Sequence, residues 1–199
     1  MDKSHAQHII DHFAHNAPWW EERNHFLETL CAAEFHWFFV QGLDAIRNEY
    51  YIPGLSSLLN GIEASLRVTI AQVSGAPDGE PLDGLSPYRV LSNNLILNAQ
   101  EVGMPVEALA FPGEADFLGK LQTVKPNRVD VEVVRQRNNI CHGDIFEFIN
   151  RDLGPENSFF TPECVRPLAF TLLEVSHAWA AELGRFRRSK NLLHYDGAA

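Results

Sequence analysis

The 199-residue chain is 45% apolar, enough to bury the core of the single domain that we expect over residues 1–199. Its 26 acidic residues outnumber 16 lysines and arginines, and the formal net charge of −10 disfavours binding of nucleic acid by overall charge, though not in a local basic groove. No stretch of 18 or more apolar residues occurs, so no membrane-spanning helix is expected, and three widely spaced cysteines indicate a reducing cytoplasm rather than a disulfide scaffold.

The first part of the chain carries the apolar spacing of helices. Apolar residues three and four apart over about residues 18–51 predict one long core helix. Pro53 interrupts the pattern, and a second apolar stripe over residues 55–70 predicts a helix that ends near Gly75. We expect these two helices to pack as an antiparallel hairpin.

The middle of the chain alternates between loops and a shorter helix. Prolines, glycines and acids over residues 76–87 predict a loop, and a third helix is expected from Pro87 to about Val102. Residues 103–126 have poor periodicity and several prolines and glycines, so they predict an irregular insertion with short helical turns.

The last part of the chain predicts two more helices. Asn127 is a candidate N-cap for a helix that ends at Gly143. Thr161 and the proline after it begin a final helix, and a basic tail over residues 185–199 follows its apolar stripe. Strand patterns are almost absent. The fold expected is all-α, a bundle of about five main helices with one irregular insertion.

The segment with the clearest chemistry lies on the last turns of the fourth of these helices. It reads Arg137-Asn138-Asn139-Ile140-Cys141-His142-Gly143. Arginine keeps its charge at any working pH and histidine exchanges protons near neutrality, so the two together suit work on a phosphate. On an ideal helix Asn138 and Arg135 share a face with His142, while Arg137 lies about 140° away from His142. A plainer interpretation makes the arginines solvated cations and His142 a capping residue.

The same string resembles the signature of the HEPN superfamily, whose members are helical bundles and often metal-independent ribonucleases. That signature is an arginine, four to six residues and a histidine, with a polar residue favoured directly after the arginine. Here it reads Arg137, Asn138 and His142. Arg135 also satisfies the loose spacing, which leaves the choice of arginine open, although Asn138 favours Arg137. The helical order of the chain agrees with such a bundle.

The resemblance implies a homodimer with one composite site and RNA as the substrate, without metal or other cofactor. RNA would be cleaved by attack of the ribose 2′-hydroxyl on the adjacent phosphorus. His142 would move a proton, Arg137 would neutralise phosphoryl charge, Asn138 would orient the histidine or bind the phosphate, and Arg135 would bind substrate. Stand-alone bacterial proteins of this kind act in conflict systems, which implies a toxin or defence nuclease with a neutralising protein partner. Two alternatives are a noncatalytic HEPN-like module that binds a nucleotide or protein, and a scaffold in which His142 is structural.

Three other features carry weaker expectations. Four histidines at helical spacing form an N-terminal stripe that is compatible with metal but fits a solvated or partner-facing surface better: His5, His8, His12 and His15. The basic cluster over residues 185–190 either guides RNA or is a solvated helix end. Cys141 is expected to be a small buried packing residue, and the four tryptophans are expected to be core or interface residues.

Overall fold

The computed structural model describes residues 3–75 and 90–192, and within these ranges the chain forms helices and short 3₁₀ turns with no strand. The all-α prediction is confirmed. The α-helices described are α1 (Lys3–Leu30), α2 (His36–Arg47), α3 (Tyr51–Val73), α4 (Asn93–Glu101), α5 (Phe117–Leu121), α6 (Glu132–His142) and α7 (Arg166–Ser189). None of the helices in the described ranges is long and apolar enough to cross a membrane. The loop predicted over residues 76–87 and the end of the tail, residues 193–199, lie outside the described residues.

Helices α2 and α3 form an antiparallel hairpin, which confirms the predicted pairing for the later part of the first predicted helix only. A Cβ added at Gly42 would lie 2.7 Å from Leu58 Cδ2, and one added at Gly54 would lie 2.6 Å from Ile46 Cγ1. The pairing of 42 with 58 and of 46 with 54 shows that the helices run in opposite directions. Glycine lets the two backbones approach this closely because it has no side chain to separate them.

The single long helix predicted over residues 18–51 is wrong, because the chain turns a corner over residues 31–35 between α1 and α2. Cys31 adopts a left-handed conformation at this corner, with φ of +43°. Helix α2 folds back along α1, so Trp19 Nε1 donates to Asp44 Oδ1 at 3.1 Å. One continuous helix would hold residues 25 apart at about 37 Å. Buried Ala32 and Phe35 continue the apolar pattern through the corner. The sequence pattern therefore does not indicate that the helix ends there.

Helix α7 closes the core by packing against α1 and α3. Trp179 is fully buried and its Nε1–H donates to Ser65 Oγ at 2.9 Å, which satisfies the indole donor. The expectation that tryptophans serve packing is confirmed for Trp179. Trp20 and Trp37 are about half exposed and lie at the surface.

The segments between α3 and α6 correct two predicted helix starts. Helix α4 begins at Asn93 rather than Pro87, and Ser92 caps it by accepting from the Leu95 N–H at 3.3 Å. The helix predicted from Asn127 begins only at Glu132. The buried Asn93 side chain explains the later start, since it bonds the backbone of residues 129 and 131 and holds this segment extended. The irregular insertion is confirmed, with a 3₁₀ turn (Val106–Leu109) and α5 inside residues 103–126.

The described residues form six helices of nine or more residues rather than the five expected. The difference arises because the segment predicted as the first helix contains two helices, α1 and α2. The other predicted boundaries agree closely. Gly143 ends α6, and Thr161 precedes a 3₁₀ turn (Pro162–Val165) that leads directly into α7.

Two histidines meet where α1 crosses α7. The rings of His25 and His177 lie 5.0 Å apart, and His177 stacks on Phe26 at 4.5 Å. Burial, together with the neighbouring His25, lowers the pKa of His177. Burial also lowers the pKa of His36 at the start of α2.

Acidification should therefore destabilise the wild type more than a His177→Phe variant, which keeps the ring stack without a titrating group. The folded pKa lies below the unfolded value of about 6.5, so the unfolded chain binds the extra proton first. The contribution of His177 to the free energy of unfolding is full when the pH lies above the unfolded pKa. It is lost as the pH falls towards the folded pKa. Urea unfolding at about pH 7.5 and about pH 5.5 measures this difference. Equal losses in the two proteins would contradict the prediction, and His36 should leave the variant with a residual dependence.

Candidate functional site

The end of α6 is a Schellman cap built on Gly143. The Gly143 N–H donates to Ile140 O at 3.4 Å, and the Asp144 N–H donates to Asn139 O at 2.9 Å. Gly143 has φ of +69°, and a Cβ added there would meet no atom within 4 Å. The position therefore requires glycine for its backbone conformation, not for lack of space.

A Gly143→Ala substitution should lower the free energy of unfolding by about 1 kcal/mol, the cost of a left-handed alanine. Gly143→Asn should cost less, because asparagine tolerates this conformation better. Urea unfolding of wild type, Gly143→Ala and Gly143→Asn measures the order of their free energies of unfolding. Equal stability of the alanine variant and wild type would show that the cap relaxes.

The cap ends the helix directly after His142, which is exposed. Asn138 lies four residues earlier on the same face and is half-buried. The Arg137 guanidinium reaches round the helix, and its Nη1 lies 3.5 Å from Asn138 Oδ1. This long contact brings the Arg137 charge towards the face of Asn138 and His142. Among the described residues, neither Arg137 nor Asn138 forms a hydrogen bond with the His142 ring.

Some of the buried polar atoms without partners lie at or beside this motif, and others lie on α1, α2 and α7. Arg137 Nε and Asn139 Nδ2 are buried and have no hydrogen-bond partner among the described residues, nor has Gln136 Oε1. A buried donor left without a partner costs about 1–3 kcal/mol, so such groups are rare away from sites that bind water or a ligand. Arg137 also forms no ion pair with a described carboxylate, so its charge is available to an anion.

Arg135, in contrast to Arg137, is paired with described carboxylates. Its guanidinium donates to both Glu132 oxygens at 2.7 and 2.9 Å and to Glu147 Oε2 at 2.8 Å. Hydrogen bonding to Glu132, followed by the other effects of the two carboxylates, raises the pKa of Arg135. Two carboxylates balance its charge, so direct binding of a phosphate by Arg135 is disfavoured. Of the two arginines that fit the motif, Arg137 is therefore the one without a described carboxylate partner.

Sequence reasoning missed the turn that follows the cap. Ile145–Glu147 forms a 3₁₀ turn in which Phe146 is 68% exposed and Ile145 is 38% exposed. The sequence signal for this turn was the pair of apolar residues, Ile145 and Phe146, that closely follows the helix stop. Cys141 was expected to be buried and is exposed, because the end of α6 from residue 141 projects from the core.

The basic cluster near the end of α7 is partly buried and partly exposed. Arg187 is buried, donates to Gln72 Oε1 at 2.6 Å, and has its pKa lowered by burial. Arg188 Nη1 donates to Thr29 O at 3.3 Å, so these two arginines brace α7 against α3 and α1. Arg185, which pairs with Glu182 on the same helix, and Lys190 are exposed, and the two alternatives of an RNA-guiding surface and a solvated helix end stay predictions.

No three potential metal ligands among the described residues lie together, and the side chains of the N-terminal histidine stripe are outside the description. Two cavities of about 500 and 370 Å³ have no residue of the motif among their described lining residues. Within the candidate site, residues 141–147 at and after the end of α6 are exposed.

Comparison with protein-family models, with curated proteins and with solved structures finds no match. Function is therefore inferred from the residues of the site themselves.

Proposed function

We propose that the protein is a metal-independent endoribonuclease of the HEPN type that acts through Arg137, Asn138 and His142. The observation that carries this proposal is the Arg137 charge, which no described carboxylate pairs, beside Asn138 and on the same helix end as an exposed histidine. A cation that can neutralise a phosphate and a group that can move a proton are the minimum that RNA cleavage by transesterification requires.

In this reaction the ribose 2′-oxygen attacks the adjacent phosphorus and the bond to the 5′-oxygen breaks. His142 takes the proton of the 2′-hydroxyl, and an acid returns a proton to the leaving 5′-oxygen. Arg137 stabilises the charge that develops on the non-bridging oxygens, and Asn138 holds the arginine in place. The products are a 2′,3′-cyclic phosphate and a free 5′-hydroxyl. In a homodimer with facing helix ends, His142 of the second copy supplies the acid.

The charge of the chain limits how it meets RNA and what regulates it. A formal charge of −10 repels a polyanion at long range, so RNA binding depends on local groups such as Arg137. The same acidic surface suits a basic protein that neutralises the enzyme. We therefore place it as a cytoplasmic toxin or defence nuclease with such a partner.

A second candidate function is a noncatalytic HEPN-like module that binds a nucleotide or protein. The acidic side chains that flank the motif favour its protein-binding form, since Asp144 and Glu147 are exposed beside the candidate site and suit a basic partner. Such a module would bind at the end of α6 without cleaving RNA.

Incubation of total RNA with the protein in EDTA, with chemical identification of the product ends, separates the two functions. Cyclic phosphates and 5′-hydroxyls are expected from the nuclease. Intact RNA after incubation with a folded protein would reject the nuclease and favour the binding module.

A further inference from the structure

The turn after α6 folds back along the face of the helix that carries the candidate site. Glu147 lies beside Arg135, with a 2.8 Å hydrogen bond from Arg135 Nη1, although the two are twelve residues apart. Arg135 precedes His142 by seven residues, which is two helical turns on one face. The Ile145–Glu147 turn therefore runs beside the row from His142 to Arg135. The Schellman cap lies at one end of this turn, and the half-exposed Arg135–Glu147 ion pair together with Phe148, which packs against the core, holds the other.

Phe146 is held in this turn with 68% of its surface exposed. Its neighbour Glu147 is anchored to α6, so the backbone that carries the phenyl ring is positioned although the ring itself is largely uncovered. An exposed ring on a fixed backbone binds a flat partner at little cost in conformational entropy, because phenylalanine has only two side-chain torsions to restrict. An RNA base is such a partner.

We propose that Phe146 stacks on an unpaired base of the RNA that binds at the end of α6. This inference rests on the proposed nuclease function and assigns to it a base-contacting residue. The base faces of an RNA duplex are already covered by neighbouring bases, whereas an unpaired base offers its face to an aromatic side chain. Stacking also supplies affinity that does not depend on charge, which suits a chain with a net charge of −10. Arg135 is a positioning residue that acts through Glu147 and the turn.

The test uses a labelled single-stranded RNA oligonucleotide and the same strand annealed to its complement. Binding is measured by fluorescence anisotropy with His142→Ala protein, which should not cleave the probe. Adding Phe146→Ala should weaken binding of the single strand by roughly tenfold or more, and Phe146→Tyr should restore it. Tyr50→Ala is the matched control, because Tyr50 is 66% exposed in the turn between α2 and α3 and should not affect binding.

Cleavage kinetics test the role of the anchored turn. In otherwise wild-type protein, Phe146→Ala should raise KM for the single strand and change kcat little. Glu147→Ala should raise KM in the same direction, and the double variant should be no worse than Phe146→Ala alone, since both remove the same contact. Additive effects would overturn the positioning role.

Three outcomes would separate failure of this inference from failure of the proposed function. Cleavage by wild type with unchanged single-strand binding and KM in Phe146→Ala would overturn the stacking role and leave the nuclease standing. Binding that depends on Phe146 without cleavage by wild type would reject the nuclease but not the contact with RNA. Conversion of a wild-type dimer to a monomer by Phe146→Ala, seen in analytical ultracentrifugation, would show that Phe146 packs against a second copy and would overturn the inference.

Discussion

Replacing Arg137 or His142 by alanine should reduce kcat/KM for RNA cleavage by at least about a hundredfold in each case. Arg137→Ala removes the guanidinium that lies beside Asn138 without an ion pair to a described carboxylate. His142→Ala removes the imidazole that we propose as the proton-transfer group, at the exposed end of α6. The measurement is the initial rate on a labelled RNA in EDTA, with the product ends identified.

Variants of matched chemistry show whether charge or geometry is responsible. Arg137→Lys keeps the charge but loses the planar fork of donors, so its activity should fall between those of alanine and arginine. Arg185→Ala removes an exposed arginine on α7 and should retain full activity. Because the two groups act in one step, the Arg137→Ala, His142→Ala double variant should be little worse than either single variant. Cleavage that persists unchanged in both single variants would assign the activity to other residues.

Gly184→Ala should be strongly destabilising, with a loss of about 3 kcal/mol in the free energy of unfolding. A Cβ at this position would lie 2.3 Å from Thr29 O and 2.9 Å from Thr29 Cγ2. The obstacle is largely backbone, so relief requires α7 to move away from α1. That movement would also separate Arg188 from Thr29 O, which it now reaches at 3.3 Å.

Urea unfolding at neutral pH measures the Gly184 effect. Arg185→Ala at the next position is exposed and should change stability by no more than about 0.5 kcal/mol. Circular dichroism before unfolding shows whether Gly184→Ala still folds. A Gly184→Ala protein as stable as wild type would mean that the two helices separate at little cost.

The elements predicted best are those whose signals are local. The second apolar stripe predicts α3, Gly143 predicts the end of α6, and Thr161 with its following proline predicts the start of the segment that leads into α7. Each rests on a periodicity or a cap formed within a few residues of the chain. The same holds for the placement of Arg137 and His142 on the last turns of one helix.

The predictions that were wrong depended on contacts between distant segments. Asn93 keeps residues 129 and 131 extended and delays α6, and no residue near Asn127 indicates this. Buried residues on both sides of the corner at 31–35 point into the same core, so the apolar spacing continues where the helix does not. Periodicity reports which residues are buried, but not whether the backbone between them bends.

The sequence by itself determined the all-α class, the hairpin partners and the motif that carries the candidate chemistry, because helix periodicity, caps and residue type are local properties. Only the tertiary structure decided the functional state of those residues. Long-range and fold-back contacts pair Arg135 with Glu147, bury Arg187 and leave Phe146 exposed beside the motif. Identical arginines thus differ as an ion-paired side chain, a buried brace and a cation without a described carboxylate partner, according to which neighbours the fold places within hydrogen-bonding distance.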